Sequence, residues 1–166
     1  MQDITKKTKF MLTFGIILQI VWTGLHLLVQ RYPEPVLALF NSPVELLDRA
    51  DVMTHPLIYI APFAELGVLL ILFLLLHKQC TQPTSASGGI LVLTLLSTII
   101  LFLISLMTHY ATNYMLAHFE GSNALAAYGM VQTAISWISV IKMPVVPMFA
   151  AAAGINWCRW KQSAQQ

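Results

Sequence analysis

The sequence predicts an all-α integral membrane protein: one domain, residues 1–166, folded as a four-helix bundle, with both termini in the cytoplasm and a short amphipathic helix in the first outer loop. Three observations carry that expectation. Apolar residues make up 57% of the 166 residues and charged ones 10%, against about 45–50% and about 25% in soluble domains. The mean hydropathy is +0.72, and so few charges do not cover the surface of a soluble protein of this size. Four apolar stretches reach the roughly 20 residues that a helix needs to cross about 30 Å of hydrocarbon. The same composition excludes a disordered chain, and a net charge of +2 gives no basic face for nucleic acid.

The first span covers about residues 10–28. Lys6, Lys7 and Lys9 precede it in the manner of a signal peptide. Its apolar region is longer than a signal peptide's, however, and no small-residue cleavage site follows, so it reads as a retained helix. The second and third spans cover about 57–76 and 89–107. The fourth is longer, about 124–157, and Pro144 and Pro147 interrupt it just after Lys142, because each proline removes a backbone donor and frees a carbonyl. Backbone polar groups in lipid must be satisfied within the segment, which leaves helices as the form of all four.

Orientation follows from the cationic loops. Lys6, Lys7, Lys9, Lys78, Arg159 and Lys161 fall on one side of four alternating spans, and Arg31 and Arg49 on the other. The richer side is the cytoplasm, which implies the plasma (inner) membrane. In the outer loop 30–54, Ser42-Pro43-Val44-Glu45 is a helix start: a serine cap, proline at the first helical position, and glutamate three residues after the cap. It opens the short amphipathic helix 43–50. The inner connection 79–88 is rich in Ser, Thr, Pro and Gly and reads as a flexible tether.

Polar residues inside lipid-spanning helices ask for partners, and here they fall in stripes. Gln19, Thr23, His26 and Gln30 are spaced four, three and four apart and share a face. Tyr59 and Glu65 in the second span, and Gln132, Ser136, Ser139 and Lys142 in the fourth, complete the set. At about 1.5 Å per residue all these stripes converge in the outer half of the bilayer. Glu65 and Lys142 are the two formal charges deep in the spans; each alone costs about 2.5–3.5 kcal/mol to insert, so they are expected at similar depth and able to pair.

The leading functional expectation is an outward-facing polar vestibule that binds or moves a small molecule or ion. Glu65 and Lys142 stand at its floor, with His26, Gln19, Thr23, Tyr59, Gln132 and Ser136 as further binding residues. Two other readings stand beside it. In one, the small run Ala150-Ala151-Ala152-Ala153-Gly154 permits close helix approach and docks a second copy, in a homo-oligomer, or a partner membrane protein, making the chain a sensor, immunity factor or accessory subunit. In the other, His26, His55 and His109 hold a haem or a divalent metal in a redox protein, though no H-x-x-x-H, H-E-x-x-H or E-x-x-H spacing occurs to strengthen it. Cys80 and Cys158 form no C-x-x-C and, on the reducing cytoplasmic side, are expected to be free thiols. No catalytic motif is present to name a reaction.

Overall fold

The computed structural model describes residues 2–39, 56–117 and 122–165, with the side chains of 3–36, 38–39, 59–107, 110 and 129–165. Among these residues all regular structure is helical: α1 (Gln2–Arg31), α2 (Glu34–Leu39), α3 (Pro56–Thr81), α4 (Ser87–Ala117), α5 (Ser122–Ile138), a 3-10 turn (Ser139–Lys142) and α6 (Val145–Ala164). Four segments are long and apolar enough to cross a membrane: Asp3–Arg31, Tyr59–Thr81, Ser87–Met107 and Gly129–Ala164. The expected helix at 43–50, together with His55, lies outside the described residues; α2, in the same loop, is an element the sequence did not suggest.

The fourth segment is not one helix. It is α5, the 3-10 turn and α6 in succession, so the interruption begins at Ser139 rather than after Lys142. The reason is local. Pro144 is the residue preceding α6, and Pro147 falls in its first turn, where missing N–H groups have no intrahelical acceptor to lose. The cost of both prolines is therefore displaced upstream: the chain tightens over Ser139–Lys142, and the Met143 N–H reaches back only to the Val140 carbonyl, at 3.3 Å. Short 3-10 pieces of this kind are the usual means of joining helices.

The bundle is organised around α1 and α6. One face of α1 is buried along its length through Thr8, Leu12, Ile16, Gln19, Trp22, Thr23, His26 and Gln30, while Phe10, Phe14, Ile17, Ile20 and Leu28 face outward. That is the spacing of a helix with one stripe against its neighbours and one against lipid. α1 packs on α3, α5, the 3-10 turn and α6; α4 packs on α3 and α6 and turns Val92, Leu95, Ile99, Phe102 and Leu106 outward. The apolar core fills the half of the bundle where α1 begins and α3 ends: Leu12, Ile16, Leu69, Leu72, Leu76, Val145, Phe149, Ala152 and Ala153 form one cluster. Gly15 admits the Phe149 ring, since a Cβ there would stand 3.1 Å from Phe149 Cε2.

The connection between α3 and α4 is fastened rather than loose. The buried Gln79 side chain accepts hydrogen bonds from the Thr84 N–H (3.0 Å) and the Ser87 hydroxyl (2.8 Å), and its amide donates to Thr84 Oγ1 (3.0 Å). The small polar residues that suggested a tether supply the donors that fold the turn onto the end of α3.

Candidate functional site

α1, α3 and the 3-10 turn each bring one polar element to a common place beyond the apolar core. Glu65 comes from α3, one turn before the core residue Leu69. Lys142 ends the 3-10 turn, three residues before the core residue Val145. Lys142 Nζ donates to Glu65 Oε2 at 2.7 Å, the carboxylate nearly enclosed (9% exposed) and the ammonium less so (26%). Each charge offsets the insertion penalty of the other.

Trp22 of α1 organises the surroundings of the pair. Lys142 Nζ sits 3.7 Å from the centroid of its ring, a cation–π contact worth about 0.5–2 kcal/mol for an ammonium that is only partly desolvated. The indole N–H donates to Ser139 Oγ at 3.2 Å, and that hydroxyl donates in turn to the Ile135 carbonyl at 2.9 Å. One side chain thus engages both ends of the 3-10 turn. On its other side Trp22 meets the His26 ring, with centroids 5.1 Å apart and planes at 62°.

Sequence reasoning passed over Trp22. A signal was present, since it lies three residues after Gln19 and four before His26, on the polar face. Tryptophan suits membrane interfaces as well as interiors, and its type alone did not distinguish the two.

The α1 stripe is buried as a unit. Gln19, Thr23, His26 and Gln30 are all enclosed, and Gln19 Nε2, Thr23 Oγ1, His26 Nδ1 and Gln30 Oε1 have no hydrogen-bond partner among the described residues. An enclosed polar atom without a partner costs about 1–3 kcal/mol. Four of the six such atoms among the described residues lie on this one helical face; the other two, Asn156 Oδ1 and Arg159 Nε, lie on α6 at the other end of the bundle.

The other candidate residues are placed less uniformly. Tyr59 and Gln132 are half-buried on α3 and α5. Ser136 is exposed, and its hydroxyl donates to the Gln132 carbonyl within α5; it does not join the pair. His55 and the side chain of His109 lie outside the described residues. His77 packs on Phe73 at the far end of α3, ring centroids 5.5 Å apart. Among the described residues no three His, Cys, Asp or Glu side chains gather to hold a metal.

The small-residue run is spent partly inside. Ala152 and Ala153 belong to the core, whereas Ala151 is exposed, so residues 150–154 do not form one free docking face. Near the same end, Asn156 Nδ2 donates to the Leu76 carbonyl (3.2 Å) and contacts Cys80 Sγ (3.6 Å), and Arg159 donates to the Cys80 carbonyl (2.9 Å). The Arg159 bond satisfies a carbonyl left over at the end of α3, the Asn156 bond adds a second donor to a carbonyl one turn earlier, and together they tie α6 to α3. Both cysteines are free.

No protein-family model matches this chain, and no curated protein or solved structure matches it.

Proposed function

We propose that this small multi-pass membrane protein binds or moves a small polar molecule or ion within its bundle, at an outward-opening polar site with Glu65 and Lys142 at the floor. The plasma membrane, with both termini in the cytoplasm, is the setting that the loop charges favour. The observation that carries the reading is the row of enclosed, unpartnered polar atoms on α1 (Gln19 Nε2, Thr23 Oγ1, His26 Nδ1, Gln30 Oε1) alongside a membrane-embedded ion pair. An ionisable residue inside a membrane is a functional-site hypothesis by default, and the unpartnered atoms on α1 offer donors and acceptors to a visiting polar species.

The test is permeation and binding in reconstituted vesicles, with protons, potassium, glycerol and urea as separate probes. Glu65→Gln, which keeps the side chain's shape and removes its charge, is expected to insert normally and to lose the flux or binding that the native chain confers. Native and Glu65→Gln vesicles that behave alike toward every probe overturn the reading.

A further inference from the structure

We propose that the polar row on α1 is a one-sided water path delivering protons from the Gln30 end to the Glu65–Lys142 pair, so that the proton is the ion the site takes. The inference rests on the reading of the bundle interior as a site for a small polar species and names that species.

The spacing of the row is the first argument. From Gln19 to Thr23, His26 and Gln30 the rise along α1 is about 6, 4.5 and 6 Å at 1.5 Å per residue. Two hydrogen bonds in series through one water span about 5.6 Å, so single waters suit the intervals. The second argument is chemical type. Gln19 Nε2 donates, Gln30 Oε1 accepts, Thr23 Oγ1 does both, and His26 Nδ1 does either according to tautomer. A chain of mixed donors and acceptors is what proton hopping requires. The third is charge. Glu65 and Lys142 engage each other at 2.7 Å, so a metal cation meets no free carboxylate there and an anion meets an ammonium already held. A proton needs only one oxygen of the carboxylate and no coordination shell around it.

The path has one closed end. One turn beyond Gln19, the Phe149 ring packs against Gly15, followed by Leu12, Ile16, Leu72 and Leu76. At the other end Gln30 is followed by the exposed Arg31 and Tyr32, where α1 stops. The pair lies between, reached beside Trp22, which touches both His26 and Lys142. Among the described residues the titratable groups on the elements about the pair and the row are few: His26 from α1 and Tyr59 from α3, with Glu34 on α2 beyond the Gln30 end. α4 from 87 to 107, α5 from 129 to 138 and α6 from 145 to 157 contain no titratable side chain.

The step balances simply. A hydronium ion at the Gln30 end gives up a proton. His26 takes a proton on one ring nitrogen as it releases one from the other. An O–H bond forms on the Glu65 carboxylate, and the ionic contact with Lys142 is lost. Lys142 keeps its own protons and its place over the Trp22 ring, and the buried set gains one positive charge until the proton returns.

Two measurements on the full chain in oriented vesicles decide the matter. The first is reaction of single thiols with silver ion, a thiol reagent close to a water molecule in size, in a Cys158→Ser background, with the enclosed Cys80 as internal control. Thr23→Cys is expected to react from the Arg31 side alone, and Leu12→Cys from neither side. A Thr23→Cys thiol that resists the reagent from the Arg31 side, or a Leu12→Cys thiol that reacts equally, overturns the one-sided path.

The second is infrared spectroscopy after a pH jump, reading the carboxylic-acid band that Glu65→Gln removes. The band is expected to form in the native chain and to form several-fold more slowly in Thr23→Val. A native chain with intact helices and no such band at any pH overturns the proton. Thiol reaction and band that behave as expected, without permeation or binding of any probe other than the proton, uphold this inference while narrowing the broader reading to protons alone.

Discussion

At the scale of single residues, the Glu65–Lys142–Trp22 cluster makes the sharpest statements. Removing one member of an enclosed ion pair strands the other, at a cost of about 3–5 kcal/mol for a fully buried pair; with Lys142 a quarter exposed, a smaller loss is expected. Lys142→Met should therefore destabilise the detergent-solubilised protein to thermal unfolding, and Glu65→Gln combined with Lys142→Met should recover part of that loss. A double variant no better than the worse single one would show that the pair is not coupled. Trp22→Phe keeps a ring beneath the ammonium and removes only the hydrogen bond to Ser139, for about 1 kcal/mol. Trp22→Leu also removes the cation–π contact and is expected to lose about 0.5–2 kcal/mol more. Glu65 and Lys142 were legible in the sequence because formal charge in a lipid span is rare enough to stand out. Trp22 was not, because an indole is at home in either environment.

At the scale of elements, α1 was readable because its polar and apolar faces alternate with helical period over the twelve residues from Gln19 to Gln30. The fourth span was readable only in outline. The prolines announce a break, but their effect on hydrogen bonding falls upstream, so the 3-10 turn occupies Ser139–Lys142 instead of following Lys142. The α3–α4 connection was misjudged because composition reports what a loop is made of and not whom it meets; one glutamine at the end of α3 collects three of its polar groups. Gln79→Leu is expected to leave the Thr84 N–H and Ser87 hydroxyl without their acceptor. It should lower stability by about 1–3 kcal/mol and speed amide exchange at Thr84; unchanged exchange there would mean that the turn holds itself. Between α1 and α6, Gly15→Val would press its side chain into the Phe149 ring, with an overpacking penalty of about 1–3 kcal/mol measurable as a lowered Tm.

At the scale of the whole molecule, the division into a polar half and an apolar half follows from where each helix spends its small and polar residues. The apolar half is closed by Leu12, Leu72, Phe149 and the two alanines Ala152 and Ala153. The sequence alone left the alanine run open to an external partner; burial assigns two of its members to the interior. Ala152→Leu is accordingly expected to destabilise the isolated chain by about 1–3 kcal/mol through overpacking. A variant that unfolds like the native protein yet fails to self-associate would instead return the run to an external role.

The interruption between α5 and α6 leaves the fourth span as two rods meeting at residue 142. The α6 rod is tied to α3 by Asn156 and Arg159, while α5 and the 3-10 turn lie against α1 and α5 also against α2, the turn being joined to α1 through the Trp22 indole and to α3 through the Lys142–Glu65 pair. Lys142 stands at the joint of the two rods, so its contact with Glu65 pins to α3 the very place where the fourth span bends.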